Sequence, residues 1–454
     1  LLHLFRLHGD NLAFDIESQA LHVLDDCAYA LLEAWPQNGQ PDDAQLNALR
    51  HRFGDAVTDC QAEILQLIAE GQLFAESEPV SLSQLYPDEQ RIKSLCLHLC
   101  HDCNLRCRYC FAGTGDFGTG QRSMLSLETG RQAVDFLIEA SGGRHNLDID
   151  FFGGEPLLNW PVVVGLTEYI EKRAVESGKA IRLTLTTNAT LLDAGKTEFI
   201  NAHFKNCVLS IDGRPHVHDR MRPDAGGRGT YARVVRHIRS FVAARGDREY
   251  YLRATFTRHN LDFAADVLHL AELGDAVSVE PVVAPAGCGY EIRAEDVPAI
   301  EQAYEDLALA LAERARQGHP IHFFHFSIDL DGGPCAYKRL KGCGVGLEYC
   351  AVTPDGEIYP CHQFVGQKAF CMGSVKAQPV RLDEAVQAQF RRLLTLDKQA
   401  CQTCWSRYFC GGGCAANAWQ ASGSVNGLYD IGCRLQKKRL ACALWLKSRA
   451  AIAE

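Results

Sequence analysis

The sequence predicts an α/β protein built around a partial (β/α)6 barrel, with a small winged-helix-like module before it and a cysteine-rich segment after it. Three observations carry that expectation. Residues 91–320 alternate six short strand patterns with helical ones, as a parallel sheet requires. Residues 1–80 hold three short strand patterns followed by three helical ones. The 20 cysteines are clustered: three fall between 103 and 110, and a second group runs from 335 to 433.

The N-terminal module opens with His3–His8 and Asn11–Ile16. Gly9-Asp10 between them signals a hairpin, and Leu21–Leu24 adds a third strand. Helices are expected near Asp25–Ala34, Ala44–Arg52 and Val57–Glu70, with Gly71 as a stop. This module is assigned residues 1–80. Residues 81–93 are the expected linker, approached through Pro79 and holding Ser81, Ser83 and Pro87.

The barrel is expected over 94–320. Its strand candidates are Ser94–Leu99, Leu147–Phe152, Ile181–Thr186, Cys207–Ile211, Tyr251–Thr257 and Val277–Val283. Ser126 is placed to cap Leu127–Ala140, Pro161 to open Val162–Glu176, and Thr230 to cap Tyr231–Ala244. A helix over Val297–Gln317 leads out. Ligands of such a sheet sit at the C-terminal strand ends, where the loops gather. The remaining domain, 321–454, is Gly- and Cys-rich over 333–433 with little periodicity. It is expected to lack apolar material for a core of its own, so that metal binding supplies folding energy. Leu435–Leu446 returns to helical spacing.

With 56 acidic and 46 basic residues the net charge is −10, which argues against a nucleic-acid grip. No uninterrupted apolar run of about 18 residues predicts a membrane span. No basic–apolar–small signal pattern opens the chain, so a cytoplasmic location is expected. The chain begins at Leu1, so its true start is expected to be missing or altered. Thiols stay reduced in that compartment, and clustered cysteines there read as metal ligands.

The first motif, Cys103-Asn-Leu-Arg-Cys107-Arg-Tyr-Cys110, directly follows the first barrel strand. Three thiolates can hold three irons of a [4Fe–4S] cluster and leave the fourth open to a chelating ligand. Zinc is the alternative. It wants a fourth ligand, and Cys100 stands at a suitable spacing. Alternation with Leu97 and Leu99 makes Cys100 a strand side chain instead. The second motif, Gly153-Gly154-Glu155-Pro156, ends the second strand. Its glycines would let backbone approach a ligand closely, and its carboxylate would accept from an ammonium. Thr187-Asn188 ends the third strand and Ser210-Ile-Asp212-Gly213 the fourth, and Arg222-Pro223 and Gly229-Thr230-Tyr231 follow. They offer groups suited to ribose hydroxyls and a carboxylate, with ordinary turn chemistry as the alternative. Arg253 points from the fifth strand with its role open. The third constellation is Cys401-x2-Cys404-x5-Cys410-x3-Cys414, then Cys433 after 18 residues, with Cys343 and Pro354-Asp355-Gly356-Glu-Ile-Tyr-Pro-Cys361 upstream. Paired zinc ribbons are its alternative. Cys27, Cys60, Cys96, Cys207, Cys288, Cys371 and Cys442 fall on periodic or isolated positions and read as structural thiols.

The C-x3-C-x2-C loop with its Asn-Leu-Arg resembles the signature of radical S-adenosylmethionine (SAM) enzymes, and the C-terminal pattern resembles the SPASM domain. Over its whole length the chain resembles the radical SAM–SPASM maturases of the peptide called SCIFF (six cysteines in forty-five residues). Three stretches carry this. They are His3-Leu-Phe-Arg-Leu-His-Gly9 with Asp15 and Leu21-His-Val-Leu-Asp-Asp26; His101-Asp-Cys-Asn-Leu-Arg-Cys-Arg-Tyr-Cys-Phe-Ala112; and Cys410-Gly-Gly-Gly-Cys-Ala-Ala-Asn-Ala418 with Ile431-Gly-Cys433. The resemblance implies a radical SAM barrel between a leader-binding RiPP recognition element and a SPASM domain.

It also implies SAM and three [4Fe–4S] clusters. Cys103, Cys107 and Cys110 would hold the SAM-binding cluster. Tyr109, Gly153, Gly154, Glu155, Asn188, Ser210, Asp212 and Arg222 would bind SAM. Cys401, Cys404, Cys410 and Cys433 would hold an outer auxiliary cluster, and Cys343, Cys361 and Cys414 an inner one. The inner cluster's fourth ligand stays open among Cys335, Cys350 and a substrate thiolate. The implied reaction joins a Cys sulfur to the α-carbon of an acceptor residue, a Thr in the family, in a Cys-rich precursor peptide. A 5′-deoxyadenosyl radical would abstract the α-hydrogen, and the leftover electron would enter the auxiliary clusters. An external one-electron reductant is required, and no side chain is named as acid or base. The leader would add as a strand beside the hairpin edge. Four alternatives stand beside this reading. One is an anaerobic sulfatase-maturase, a class that usually has Asp where His362 stands. The others are a different peptide crosslinker, a docking or dimerisation role for the N-terminal module, and a non-enzymatic peptide-binding or electron-transfer protein.

Overall fold

A computed structural model describes residues 1–36, 39–76, 91–330, 336–391 and 393–453. The N-terminal module is a three-stranded antiparallel sheet, β1 (Leu2–Leu7), β2 (Asp10–Asp15) and β3 (Leu21–Leu24), in that order. The helices Asp26–Ala34, Asp43–Phe53 and Ala56–Ala69 follow, all close to their expected bounds. Asp25 caps the first by accepting from the Ala28 N–H at 2.7 Å. Strand alternation sends Ala13 of β2 into a core with Leu31, Leu46, Val57 and Ile64 of these helices. Phe14 and Ile16 belong to a separate apolar cluster with Leu340, Tyr408, Leu440 and Leu444 of the C-terminal region. The central strand is thus buried on both faces, and one of them is an interdomain contact.

Six parallel strands follow in sequence order: β4 (Ser94–Cys100), β5 (Asn146–Gly153), β6 (Ala180–Thr187), β7 (Asn206–Ser210), β8 (Glu249–Phe256) and β9 (Ala276–Pro281). Along β5, the buried Leu147, Ile149 and Phe151 alternate with half-buried Asp148, Asp150 and Phe152. One face of the sheet is therefore apolar and packed under helices. The other carries polar side chains, among them Asp150 and the nearby Arg253.

The sheet is larger than six strands. β10 (His322–Phe323) adds in parallel beside β9, and β11 (Tyr349–Val352), β12 (Glu357–Tyr359) and β13 (Gly373–Ser374) extend the other edge from β4. It crosses the 320/321 boundary without a break. The expectation that the C-terminal segment lacks apolar material is corrected here: Tyr359, Phe364, Phe370, Met372, Val375 and Phe390 join the barrel's own core. Strands of four, three and two residues are too short for periodicity to show.

Most of the expected linker, like Cys335, lies outside the described residues. Residues 91–93 lead straight into β4, with Lys93 paired to Glu348 at 2.6 Å. The C-terminal helix, Asp430–Ala453, starts earlier than the helical spacing suggested and takes in Cys433. It lies along Val297–Arg316, where the buried Arg439 donates to the Tyr304 hydroxyl at 2.7 Å and to Glu280 at 2.9 Å. Among the described residues no helix is long and apolar enough to cross a membrane.

Candidate functional site

The cysteine loop leaves the end of β4 and is tied at both ends. His101 N–H donates to Ser123 at 2.7 Å, and Leu125 N–H donates to Leu99 at 2.9 Å. Its middle pairs with the segment before Pro223: Arg106 N–H donates to Pro223 at 2.8 Å and Arg108 N–H to Met221 at 2.9 Å. This brings Arg222 against the loop. Cys103, Cys107 and Cys110 lie within electrostatic reach of one another. Burial pushes the Cys103 thiol up to about 12 and the Cys107 thiol up to about 11. Without a metal they are protonated, and ligation must displace those protons.

Gly153 and Gly154 sit against the backbone at the start of the loop. Gly154 N–H donates to the Cys100 carbonyl and Glu155 N–H to the Asp102 carbonyl, both at 2.9 Å. A Cβ on Gly154 would stand 2.5 Å from the Asp102 carbonyl carbon and closer still to its oxygen. The glycines are needed because two backbones meet. Cys100 is a strand side chain, fully buried, with its thiol donating to the carbonyls of Glu155 at 3.0 Å and Asp102 at 3.3 Å.

Glu155 is fully buried and accepts from the Thr187 hydroxyl at 2.7 Å, Asn188 N–H at 2.7 Å and Leu157 N–H at 3.1 Å. Burial raises it to about 6 against these donors. Three of roughly four acceptor positions are used, and one is left. Asn188 directs its amide nitrogen to Asn104 at 2.8 Å and to the Cys103 sulfur at 3.7 Å. Ser210 ends β7, half-buried and in register with Arg253.

Tyr109, Asp212 and Arg222 form one buried set. Tyr109 donates to Asp212 at 2.6 Å, and Arg222 donates to the Tyr109 oxygen at 2.8 Å and lies 3.6 Å from Asp212. The Nε of Arg222 is buried with no hydrogen-bond partner among the described residues. An orphaned guanidinium donor beside Cys107 is a vacancy for an acceptor. Thr230 does not cap its helix as expected. Its hydroxyl donates to the Arg222 carbonyl at 2.7 Å, while Asp219 accepts from the N–H groups of Thr230 and Tyr231. Sequence reasoning missed Asn104, Thr190 and Asp219. Only an Asn188-x-Thr190 turn signal pointed to any of them.

A 4Fe–4S single cluster domain matches residues 93–236, and an iron–sulfur cluster-binding domain, SPASM, matches 343–405. Over these two segments the chain is similar to radical SAM and SPASM-domain proteins. Among its relatives, a serine-type anaerobic sulfatase-maturating enzyme of Klebsiella aerogenes is 25% identical over 335 residues, covering 69% of this chain and 77% of that one. The mycofactocin maturase MftC of Mycobacterium ulcerans is 27% identical over 332 residues, covering 71% and 83%. Native anSMEcpe with bound AdoMet shares the fold at TM-score 0.64 and 21% identity, over 80% of this chain and 100% of that one. SuiB of Streptococcus suis bound to S-adenosylmethionine does so at TM-score 0.56 and 14% identity, over 95% and 98%.

The cysteines of the C-terminal region separate into two neighbourhoods. Cys410 lies within electrostatic reach of Cys433, Cys401 and Cys404. Cys361 lies within reach of Cys414 and Cys343, and burial pushes its thiol up to about 12. Cys350 is buried in β11, and burial alone raises its thiol to about 12. Among the described residues no three His, Cys, Asp or Glu side chains converge enough to hold one metal ion. A cube's thiolates each hold a separate iron, which is a different demand. Lys398 went unnoticed in the sequence. Its buried ammonium donates to Gly412 at 2.8 Å and lies near Cys401, Cys410 and Cys433.

Proposed function

We propose that this chain is a peptide maturase that forms an intramolecular thioether between a Cys sulfur and the α-carbon of an acceptor residue, a Thr in the family it resembles, in a Cys-rich precursor. The observation that carries this is the joint placement of the three-cysteine loop, the orphaned Arg222 donor and the docked N-terminal module. Cys103, Cys107 and Cys110 would hold a [4Fe–4S] cluster. Arg222, Ser210, Asn188, Glu155 and the Tyr109–Asp212 pair are the groups offered to SAM. When bound, cluster and SAM supply one-electron bond cleavage and hydrogen-atom abstraction, which no side chain of this set supplies.

The chain's own part is to bind, orient and shield. Arg222 is held by Tyr109, Asp212 and Thr230, so its free donor is preorganised for a carboxylate. Glu155 keeps one acceptor position for an ammonium. Cys401, Cys404, Cys410 and Cys433 would hold the outer auxiliary cluster. Cys343, Cys361 and Cys414 would hold the inner one, with its fourth position for a substrate sulfur. The leader would add to an edge of the β1–β3 sheet, and tethering there would raise the core peptide's local concentration at the barrel mouth. One match that extends over 95% of the chain is to SuiB, a protein also solved bound to its precursor peptide SuiA.

Formylglycine formation is the second reading, favoured by the likeness to the Klebsiella enzyme. Against it stands His362, whose ring nitrogen meets the Tyr349 hydroxyl at 2.9 Å where that class usually carries Asp. The anSMEcpe match also covers less of the chain, 80%. One incubation separates the readings. Anaerobically reconstituted protein is given SAM, a one-electron reductant and a short cysteine-rich peptide, sought as an open reading frame beside its gene. Loss of one hydrogen pair per thioether is expected, each with one free thiol fewer to alkylate. Loss of a hydrogen pair that leaves every thiol alkylatable and creates a carbonyl that forms a hydrazone (Ser oxidised to formylglycine, also a loss of two hydrogens), or exchange of the cysteine sulfur for oxygen, rejects the thioether reading.

A further inference from the structure

The N-terminal module rests on the two elements that carry the outer cysteine group. One is the run between Cys404 and Cys410. Trp405 stacks on His3 of β1, with ring centroids 3.8 Å apart and planes 10° from parallel. Arg407 pairs with Glu17 in the β2–β3 turn, and Tyr408 donates to the same carboxylate at 3.0 Å. Phe409 lies 6.0 Å from Phe14 of β2, centroid to centroid. Four of the five residues between the two cysteines thus meet the module. The second element is the C-terminal helix, whose first turn bears Cys433. Its Trp445 donates to Asp10 in the β1–β2 hairpin at 2.7 Å, Arg449 pairs with the same carboxylate, and Leu440 and Leu444 pack beneath Phe14 and Ile16.

These contacts are built to hold. The Glu17 and Arg407 side chains are each only 10% exposed, so neither charge has water to fall back on. Arg407 is also anchored within its own loop, donating to the Gln402 carbonyl at 2.6 Å. The module therefore grips a loop and a helix that are far apart in sequence, and Cys401, Cys404, Cys410 and Cys433 bridge those same two elements.

We infer that the outer cysteine group is the keystone of the seat on which the recognition module sits, and that Glu17 is the positioning residue that registers the module on it. This rests on the reading of those four cysteines as one cluster's ligands. Loading the cluster fixes the loop relative to the helix, and that fixed pair is what β1, β2 and the two turns recognise. A coupling of this kind is reciprocal: cluster loading stabilises the seated module, and the seated module retains the cluster. Its use is geometric. A tether raises local concentration at the barrel mouth only if its base is held in place.

The test uses the full chain, reconstituted anaerobically, and needs no peptide. Hydrogen exchange is followed over residues 2–24 and 402–410, and iron loss to a strong chelator is timed. Glu17→Gln keeps the side chain's shape and its bond from Tyr408 while removing the charge. It is expected to speed exchange in both segments and the loss of one cluster's iron, each by about tenfold. Tyr408→Phe should act in the same direction and more weakly. Cys433→Ser is expected to speed exchange over 2–24, although it touches none of those residues. Exchange over 94–100 should stay unchanged throughout. Unmoved exchange over 2–24 in Cys433→Ser, or unmoved iron loss in Glu17→Gln, overturns the inference while leaving the reaction untouched. Wild-type protein that loads no iron on the four cysteines overturns the inference and the cluster reading together. Failure of the peptide incubation alone affects only the reaction.

Discussion

Gly154→Ala is a sharp test of how the cysteine loop is held. The added Cβ would stand 2.5 Å from the Asp102 carbonyl carbon, with Asp102 N 3.1 Å away, so the obstacle is backbone and no rotamer change relieves it. Ordinary contact begins near 3.4 Å, so the two chains must part by about 1 Å. Two buried hydrogen bonds cross that junction, Gly154 to Cys100 and Glu155 to Asp102. Losing them costs about 1 kcal/mol each, and overpacking strain adds about 1–3 kcal/mol, giving a destabilisation of about 3–5 kcal/mol. A displacement of about 1 Å at a reacting centre costs about a hundredfold in rate. The assays are urea unfolding, iron per chain and 5′-deoxyadenosine release in the presence of SAM and dithionite. Gly195→Ala is the control: its Cβ meets nothing closer than 3.7 Å, it lies in the helix Ala194–His203, and it should be neutral or slightly stabilising. If Gly154→Ala keeps wild-type deoxyadenosine release and loses under about 1 kcal/mol, the backbone-junction account of this motif is wrong.

Further outcomes follow from the same geometry. Replacing Cys103, Cys107 and Cys110 together with Ala should abolish deoxyadenosine release while sparing the iron bound after residue 343, read by Mössbauer spectroscopy. Lys398→Met removes a buried positive charge beside the outer cysteines and should lower that cluster's midpoint potential by on the order of 100 mV in an EPR-monitored titration. Burial would raise Glu280, but Arg439 and His325 outweigh it and hold it at about 2. Its folded value is depressed, so the pair's stabilisation is present above the ordinary carboxylate range and lost as pH falls toward 2. Arg439→Met should therefore cost about 2 kcal/mol at pH 7, discounted for a carboxylate one-third exposed, with the deficit shrinking below about pH 4.5 in acid urea melts.

What was legible in the sequence was what periodicity and turn chemistry encode. The β1–β3 meander showed in Gly9-Asp10 and the alternating runs beside it, and the six barrel strands showed as short apolar stretches between capped helices. The cysteine spacing grouped thiols that the structure also brings near one another, and the loops holding Asn188 and Asp212 fall at the ends of β6 and β7, while Arg222 follows the helix Pro215–Met221 instead. Three things were not legible. The Gly153-Gly154 pair reads the same whether backbone approaches a ligand or another backbone, because glycine answers both needs. Thr230 reads as an N-cap from its position alone, while the nearby Asp219 takes that task and frees the hydroxyl for Arg222. The strands of the C-terminal segment are too short for any window to register. They exist because β4 offers an unpaired edge to Tyr349–Val352.

That pairing has a consequence for how the two halves of the site meet. β11 runs in parallel beside β4, the strand that delivers the three-cysteine loop. β12 returns antiparallel beside β11, with Tyr359 opposite Ala351, and Cys361 and His362 follow it. The His362 ring lies 5.5 Å from Phe111, just after Cys110, and 5.2 Å from Phe152, just before Gly153. One aromatic layer therefore touches the loop, the glycine motif and the residue next to an inner-group cysteine. A domain attached by a flexible linker would leave the separation between the two cysteine groups to chance. A sheet shared by both fixes it through backbone hydrogen bonds, and a two-centre reaction needs that separation to be constant.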